Sequence, residues 1–339
     1  MSTTELPQLT KKDFTSDQEV RWCPGCGDYA ILAAMQSFLA GAGARPESTV
    51  FVSGIGCSSR FPYYMETYGM HSIHGRAPAI ATGLAVSRPD LDVWVITGDG
   101  DALSIGGNHL IHALRRNVDI TILLFNNEIY GLTKGQYSPT SPRGTRTKST
   151  PYGSIDQPVN PVSLALGAEA TFVARTIDTD RAHLTEVLQA AHAHRGAAFV
   201  EIYQNCVVFN DDAFHAITDR EQKVINQIWL RDGEPITFGP EGEQAVIALE
   251  DGSMSIVPTE EAGSRAVVHD PRREEPTTAF ALSRLSHNPT GPTPLGIFRQ
   301  VERPVYDDML NQQVDDAIEA QGPGQLQDLL AGGSVWEVL

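Results

Sequence analysis

The stretch from Val93 to Asn127 decides the fold, and it reads VWVITGDGDALSIGGNHLIHALRRNVDITILLFNN. The apolar runs at 93–97 and 120–125 are typical of buried strands, and the spacing of apolar residues between about 105 and 116 indicates a helix. Glycine and aspartate at 98–101 mark the turn that follows the first strand. A strand, a helix and a second strand in this order predict two parallel strands joined by a crossover.

The same alternation continues on both sides of this unit. Further helices are predicted at 28–40, 77–87 and 180–195, and further strands at 49–53, 171–177 and 197–203. The expected fold is therefore α/β, with a parallel sheet flanked by helices on both faces. Ligands of such sheets bind beyond the carboxyl ends of the strands. We therefore expect the residues that follow the strands to gather at one edge of the sheet.

The chain has four cysteines, Cys23, Cys26, Cys57 and Cys206. Cys26 precedes a predicted helix, whereas Cys57 and Cys206 follow predicted strands. A C-x2-C pair with two distant cysteines supplies four thiolates, enough for one cubane iron-sulfur cluster or one structural zinc ion. The number of cysteines alone does not distinguish an iron-sulfur cluster from a zinc ion. The uneven spacing does not resemble a secreted disulfide framework, which favours a reducing compartment.

The composition excludes several classes of protein. A net charge of -17 over 339 residues argues against a nucleic-acid partner, because phosphate binding requires a basic face. No apolar run is long enough to cross a bilayer, and residues 1–20 lack the apolar core of a signal peptide. We therefore expect a cytoplasmic protein that has no membrane partner.

Three regions are expected along the chain: a polar N-terminal arm (1–17), an α/β domain (18–215) and an irregular, acidic C-terminal extension (216–339). Within the extension, two short apolar stretches flank Asp251-Gly252 and predict a β-hairpin near 244–257. The segment from 131 to about 160 is rich in Gly, Pro, Ser and Thr, and its length is typical of a functional loop or an interface.

The pair formed by Gly98-Asp99-Gly100 and Asn126-Asn127 resembles the thiamine diphosphate motif, in which GDG precedes a double asparagine at this spacing. Magnesium prefers oxygen ligands and shares substrate phosphates with one or two side chains. By this resemblance, Asp99, the amide oxygen of Asn127 and the Ile129 carbonyl would bind Mg²⁺. The glycines would let the backbone approach the phosphates closely. A GDG alone would also be an ordinary turn after a strand.

With the cysteines included, the chain resembles the beta subunits of the 2-oxoacid:ferredoxin oxidoreductases, most closely the 2-oxoglutarate type. The segments that carry the resemblance are WCPGCGDYAI at 22–31, GIGCSSR at 54–60, HGRAPAIATG at 74–83, GDGDALSIGGNHLIHALRRN at 98–117 and NNEIYGLTKGQYSPTS at 126–141. The resemblance implies a thiamine diphosphate-binding fold in which the four cysteines hold one [4Fe-4S] cluster beside the cofactor. It also implies the residues that line the cofactor, namely Ile55, Gly56, Cys57, Ser58, His74, Gly75, Gly98, Gly100, Asp101, Gly131, Leu132 and Thr133.

The implied reaction is the oxidative decarboxylation of 2-oxoglutarate with coenzyme A, and its electrons pass through the cluster to ferredoxin. Lys134 and Arg60 are the candidates for binding the distal carboxylate of the substrate. In this family the glutamate that activates thiamine comes from the alpha subunit. The resemblance therefore implies an alpha2beta2 assembly and an inactive isolated chain. If the ferredoxin is acidic, Arg143, Arg146 and Lys148 are better candidates for its docking than the acidic extension.

Alternative interpretations remain open at this stage. In the first alternative, the enzyme belongs to the same family, but its substrate is pyruvate or a broad range of 2-oxoacids instead of 2-oxoglutarate. A thiamine carboligase or decarboxylase without redox chemistry would use the cysteines for structural zinc, which has no redox activity. A third class, a zinc-stabilised interaction subunit without catalysis, is disfavoured by the GDG motif and the double asparagine.

Overall fold

The computed structural model describes residues 9–285, 291–333 and 336, so the first eight residues of the predicted N-terminal arm lie outside the described part of the chain. The strands are β1 (Thr49–Ser53), β2 (Tyr68–His71), β3 (Asp92–Gly98), β4 (Thr121–Asn126), β5 (Ile129–Tyr130), β6 (Gln136–Tyr137), β7 (Phe172–Ile177), β8 (Ala198–Tyr203), β9 (Gln227–Leu230), β10 (Thr237–Phe238), β11 (Gln244–Ala248), β12 (Met254–Pro258) and β13 (Thr293–Gln300).

The helices are α1 (Asp28–Ala42), α2 (Ala77–Ser87), α3 (Asp99–Leu103), α4 (Gly107–Arg116), α5 (Pro161–Gly167), α6 (Arg181–Ala193), α7 (His215–Thr218), α8 (Lys223–Asn226), α9 (Thr259–Ala262), α10 (Thr277–Ser283), α11 (Tyr306–Gln321) and α12 (Leu326–Ala331). Within the described residues, no helix is both long and apolar enough to span a membrane.

An eight-stranded sheet with the order β2-β1-β3-β4-β8-β7-β13-β9 forms the centre of the molecule. The six strands from β2 to β7 in this order pair in parallel. Strand β13 runs antiparallel to β7 and pairs in parallel with β9. The sheet is therefore mostly parallel, and the carboxyl ends of β1, β3, β4 and β8 meet at one edge.

Successive side chains of each central strand pack on opposite faces of the sheet, in two separate hydrophobic core layers. On β4, Ile122 and Leu124 pack with α2, α4 and α5, whereas Leu123 and Phe125 pack with α1 and α6. All four side chains are almost completely buried. A strand that is buried on both faces has a continuous apolar sequence, which explains the apolar run at 120–125. Helices thus cover both faces of the sheet, and the predicted α/β fold is confirmed.

The structure refines the predicted regions at two places. The C-terminal extension is more regular than expected: it contains the predicted hairpin as β11 and β12, and it adds β9 and β13 to the central sheet. The sheet therefore continues past residue 215. Near the start of the chain, Phe14 is fully buried in the core layer that contains α1, so part of the predicted polar arm packs on the domain.

A buried ion pair joins β7 to β8 near the carboxyl ends of these strands. Arg175 Nε donates to Glu201 Oε2 at 2.7 Å, and the side chains are 1% and 0% exposed. Asn126 Nδ2 donates to the other carboxylate oxygen, Glu201 Oε1, at 2.7 Å. The guanidinium also lies over the ring of Tyr203, 5.3 Å from its centroid. Both charges are thus compensated inside the core, which is the condition for tolerating them there.

We predict that Arg175→Met destabilises the protein by about 3–5 kcal/mol, because it leaves the Glu201 carboxylate buried without its cation. The measurement is the midpoint of thermal or denaturant unfolding. Glu201→Gln in the Arg175→Met background should recover part of the loss, since it removes the uncompensated charge. Equal stability of Arg175→Met and the wild type would contradict the assigned role of the pair.

Candidate active site: two adjoining cavities at the sheet edge

Four turns that follow neighbouring parallel strands come together at the carboxyl edge of the sheet. Gly54–Cys57 follows β1, the GDG turn follows β3, Asn127 follows β4 and Gln204–Cys206 follows β8. These four strands are consecutive neighbours in the sheet, in the order β1-β3-β4-β8. The parallel order of the sheet therefore explains why residues so far apart in sequence line a common site.

The first cavity at this edge has a volume of about 430 Å³, within the range typical of sites for small molecules and cofactors. The structure places eleven of the twelve predicted cofactor-lining residues and all three predicted magnesium ligands on its wall. Gly75 is the exception. The predicted residues on the wall are Ile55, Gly56, Cys57, Ser58, His74, Gly98, Asp99, Gly100, Asp101, Asn127, Ile129, Gly131, Leu132 and Thr133.

The carboxylate of Asp101 ties three segments of this wall together. Its Oδ1 accepts hydrogen bonds from the backbone N–H of Ile55 at 3.1 Å and of Gly75 at 2.7 Å. Its Oδ2 accepts from the Thr97 hydroxyl at 2.7 Å. Gly75 therefore belongs to the support of the cavity and holds the turn that carries His74. Asp101 is itself a wall residue, but both of its oxygens are engaged in holding the wall.

At two positions in or behind this wall, neighbouring atoms lie so close to the backbone that only glycine fits. A Cβ on Gly100 would overlap the ring of Tyr130, whose hydroxyl donates to the Gly100 carbonyl at 3.1 Å. Gly75 has φ +66°, and a Cβ there would lie 2.5 Å from the backbone of Gly106. At these points the wall is thus built from closely packed atoms that leave no room for a larger residue.

Two hydroxyl groups orient Asp99, the predicted carboxylate ligand of magnesium. Ser138 Oγ donates to Asp99 Oδ2 at 2.5 Å, and Thr140 Oγ1 lies 2.6 Å from the same oxygen. Thr140 Oγ1 also lies 2.9 Å from Asn126 Oδ1, which links this group to the Arg175–Glu201 pair through Asn126. Both hydroxyls contact Oδ2, so Oδ1 is the oxygen that would bind the predicted magnesium ion.

The electrostatics at this point fit a divalent cation. Burial raises the pKa of Asp99 to about 6. Burial and the nearby carboxylates of Asp99 and Glu201 raise the pKa of Glu128 to about 8. Glu128 also has φ +55°, an uncommon backbone conformation for a non-glycine residue. Burial thus disfavours the charged form of both carboxyl groups, and a Mg²⁺ ion bound at Asp99 would favour that form again.

A second cavity of about 210 Å³ adjoins the first, and all four cysteines line it. Cys57, Asn127, Gly131 and Leu132 line both cavities. A Cβ on Gly131 would lie 3.5 Å from Cys57 Sγ and 3.6 Å from Cys206 Sγ, so these two sulfurs flank the same backbone. The Trp22 indole N–H fixes the Cys57 turn by donating to the Cys57 carbonyl at 2.7 Å. The structure thus gathers the predicted ligands around one space.

The thiols of this cavity differ in their surroundings. Cys23 is exposed, whereas Cys26, Cys57 and Cys206 are partly buried. Burial raises the pKa of Cys57 to about 12, and the nearby Asp28 carboxylate adds to the increase. Burial likewise raises the pKa of Cys26 well above its usual range. Thiolates form in such a site when a metal centre displaces the protons.

The donor set of the second cavity, four cysteine sulfurs on one wall, has the chemistry of either a cubane iron-sulfur cluster or a structural zinc ion. In the described part of the chain, no three His, Cys, Asp or Glu side chains are already arranged as ligands of one metal ion.

Comparison with known proteins agrees with the thiamine diphosphate motif on the wall of the first cavity. Residues 54–202 match the model of the family "Thiamine pyrophosphate enzyme, C-terminal TPP binding domain". The chain is 62% identical to "2-oxoglutarate oxidoreductase subunit KorB" of Mycobacterium tuberculosis over 340 residues, which cover 99% of this chain and 90% of that protein. The chain belongs to the beta subunits of the 2-oxoacid:ferredoxin oxidoreductases.

Two further relatives define the extent of this similarity. The "2-oxoacid:ferredoxin oxidoreductase 1, subunit beta" of Aeropyrum pernix is 50% identical over 190 residues, which cover 56% of this chain and 60% of that protein. A solved structure of 2-oxoglutarate:ferredoxin oxidoreductase from Magnetococcus marinus, with 2-oxoglutarate, coenzyme A and succinyl-CoA bound, matches with a TM-score of 0.75. It is 33% identical, and the match covers 97% of each chain.

The two predicted substrate residues of this beta subunit lie on one side of the site. Lys134 and Arg60 line the second cavity and do not line the first. The cation that lines the first cavity is Arg76, which lies in the HGRAPAIATG segment but was not among the predicted site residues. Its Nη1 donates to the His74 and Ile105 carbonyls at 3.2 and 3.3 Å. The other missed wall residues are Ile73, Ser104, Ile105, Phe125 and Tyr130.

We predict that the double variant Ser138→Ala/Thr140→Val weakens Mg²⁺ binding about 10- to 100-fold, because it frees the Asp99 carboxylate to rotate. Calorimetric titration of Mg²⁺ in the presence of thiamine diphosphate measures the effect. Ser149→Ala, a hydroxyl removed from the same long loop away from Asp99, is the control. Unchanged Mg²⁺ affinity in the double variant would show that the hydroxyls do not position the ligand.

Proposed function

We propose that the chain is the beta subunit of a 2-oxoglutarate:ferredoxin oxidoreductase of the cytoplasm. With an alpha subunit, it would convert 2-oxoglutarate, coenzyme A and two oxidised ferredoxins to succinyl-CoA, carbon dioxide, one proton and two reduced ferredoxins. The observation that carries the proposal is the pair of adjoining cavities that share Cys57: one has the thiamine diphosphate motif on its wall and the other has four cysteines. The similarity to the Mycobacterium tuberculosis and Magnetococcus marinus proteins favours 2-oxoglutarate.

In the first cavity, Asp99, Asn127 and the Ile129 carbonyl would hold Mg²⁺, and the backbone around Gly98 and Gly100 would accept the diphosphate. Thiamine diphosphate supplies the stabilisation of carbanion chemistry when it is bound. The residues of the chain contribute by holding the groups that would bind the cofactor in fixed orientations. Asn127 Nδ2 donates to Gln204 Oε1 at 2.9 Å, and its Oδ1 accepts from Ile129 N at 3.2 Å, so the amide is held in one orientation.

In the second cavity, Cys23, Cys26, Cys57 and Cys206 would hold one [4Fe-4S] cluster. Such a cluster would supply one-electron transfer, so the two electrons of the proposed reaction would pass singly to an outside carrier. Because Cys57 lies on the wall of both cavities, the cluster would lie next to the bound cofactor. The exposure of Cys23 would place another edge of the cluster near the protein surface, where ferredoxin collects the electrons.

The first cavity lacks the carboxylate that thiamine needs for activation. Among the described residues, Asp99 and Asp101 are the acidic residues on its wall. Asp99 is bonded by Ser138 and Thr140, and Asp101 holds the Ile55 and Gly75 turns. The activating glutamate is therefore proposed to come from the alpha subunit in an alpha2beta2 assembly. The isolated chain should have no turnover, and turnover by it would contradict this proposal.

The test of the proposed function is anaerobic, coenzyme A-dependent dye reduction by the co-expressed alpha and beta subunits across a panel of 2-oxoacids. The expected result is a higher kcat/KM for 2-oxoglutarate than for pyruvate. Higher activity with pyruvate or equal activity with many 2-oxoacids would support the alternative substrates. A colourless zinc protein that turns over 2-oxoacid without reducing the dye would overturn the redox assignment.

We predict that Lys134→Ala raises KM for 2-oxoglutarate about tenfold or more, because the distal carboxylate loses a charge-assisted partner. KM for pyruvate, which lacks that carboxylate, should change little. Arg60→Ala serves as the parallel variant, since Arg60 is the second candidate for the same carboxylate. Equal increases of KM for both substrates would show that Lys134 does not recognise the distal carboxylate.

A further inference from the structure

Gln204 is a buried glutamine at the boundary of the two cavities. It follows β8, lines the second cavity, and is bonded to Asn127, which lines both cavities. Its side chain is almost completely buried. A buried amide is costly unless its oxygen and its N–H groups have partners. The partners of Gln204 therefore indicate what the site gains from a glutamine at this position.

The amide of Gln204 joins the two parts of the site. Its Oε1 accepts a hydrogen bond from Asn127 Nδ2 at 2.9 Å. Its Nε2 donates to Cys26 Sγ at 3.2 Å and to the Asn205 carbonyl at 2.5 Å. Asn127 is a predicted ligand of Mg²⁺, and Cys26 is a predicted ligand of the cluster. One side chain thus contacts a ligand of each centre.

The chemistry of these partners selects one orientation of the Gln204 amide. With its oxygen and nitrogen exchanged, the oxygen would face the Asn205 carbonyl and the Cys26 sulfur, which are acceptors. The amino group would then face the amino group of Asn127, which is a donor. Asn127 is fixed in the same way, because its Oδ1 accepts from Ile129 N at 3.2 Å. Both amides are therefore oriented by what they bond.

The backbone holds Gln204 against the turn that carries Cys26. The Asn205 carbonyl, which accepts from Gln204, also accepts from Gly27 N at 3.2 Å. Gln204 N donates to the Asn126 carbonyl at 2.9 Å. A Cβ on Gly27 would lie 3.0 Å from Gln204 Cγ, so glycine at 27 allows the two segments to pack this closely. The contact between Nε2 and the sulfur is thus set by the packing of two turns.

We propose that Gln204 is a positioning residue that raises the reduction potential of the cluster through its hydrogen bond to Cys26 and, with the same amide, holds the Asn127 oxygen towards Mg²⁺. Hydrogen bonds to the sulfurs are among the determinants of cluster potential. The reduced cluster has one more negative charge than the oxidised cluster, so an N–H donor stabilises the reduced form more. The proposal rests on the proposed function, because that function supplies the cluster and Mg²⁺.

No equivalent of this hydrogen bond exists elsewhere among the described residues, where Gln204 is the one side chain whose N–H donates to a cysteine sulfur. Arg60 and Lys134 also line the second cavity, but neither donates to a sulfur. Hydrogen bonds that follow one another polarise each other. Loss of the Gln204 amide should therefore be measurable both at the cluster and at the Mg²⁺ site.

The experiment compares Gln204→Met with Asn210→Ala in the alpha–beta holoenzyme. Methionine keeps the length of the side chain and removes both N–H donors. The ratio of reduced to oxidised cluster at a given potential should fall about tenfold, which lowers the midpoint potential by about 59 mV in a redox titration followed by electron paramagnetic resonance. Calorimetric titration of Mg²⁺ with thiamine diphosphate present should show an affinity about tenfold weaker.

Asn210→Ala is the matched control. Asn210 Nδ2 donates to the Asn127 carbonyl at 2.9 Å, but this side chain bonds no cysteine, so its removal should leave the cluster potential unchanged. A wild-type potential in iron-loaded Gln204→Met would overturn the proposal, and so would an equal fall in Asn210→Ala. A wild-type Mg²⁺ affinity in Gln204→Met would overturn the assigned role at Asn127.

A measurement on the unaltered protein covers the case in which Gln204→Met assembles no cluster. Holoenzyme whose beta chain has ¹⁵N in its glutamine side chains should show a nitrogen coupled to the reduced cluster by electron-nuclear double resonance, because Nε2 lies 3.2 Å from a ligand sulfur. Among the described residues, Gln204 is the one glutamine that lines the second cavity. Absence of the coupling would overturn the proposal.

Failure of the proposed function gives a different result from failure of this proposal. In that case the wild-type holoenzyme would contain no iron and would give no cluster signal after chemical reduction. If the proposal alone fails, the wild-type cluster is present and reducible, and Gln204→Met leaves its potential unchanged. The wild-type sample therefore distinguishes the two failures.

Discussion

The hydrogen bonds of one buried carboxylate, that of Asp101, are the constraint on which the candidate site depends. They connect the end of β3, the turn after β1 and the turn that carries His74. A Cβ on Gly54 would overlap the same carboxylate, so glycine at 54 is part of the arrangement. Each of the three segments contributes wall to the first cavity. A single side chain thus holds three segments of the cavity wall against one another.

A buried polar network extends from this edge into the sheet. It runs from Asp99 through Thr140 and Asn126 to the Glu201–Arg175 pair. Each group in this network has a hydrogen-bond or ion-pair partner within it. Asp99 also lies near the Glu128 carboxyl group, and both carboxyl groups have raised pKa values. Asp99 lies on the wall of the first cavity, where we propose that Mg²⁺ binds. The network thus connects the stability of the sheet to the orientation of the metal ligands.

The sequence predicts much of the fold and of the site because both depend on local signals. Apolar runs mark β3 and β4, and glycine-rich turns after parallel strands necessarily meet at one edge. Arg76, Ser138 and Thr140 were missed because their place at the site depends on where a turn packs, which no local pattern encodes. The strands β9 and β13 were missed for a similar reason. Their pairing on the sheet is long-range, β9 has only four residues, and β13 is interrupted by Pro294 and Gly296.

We propose that an iron-sulfur cluster in the second cavity would receive electrons from the reaction in the first cavity. Electron paramagnetic resonance of the anaerobic holoenzyme, with 2-oxoglutarate added and no external acceptor, measures this transfer. The substrate is expected to convert the cluster to a reduced, paramagnetic state, and metal analysis should find about four iron atoms per beta chain. Zinc without iron, or a cluster whose spectrum does not respond to 2-oxoglutarate, would contradict it.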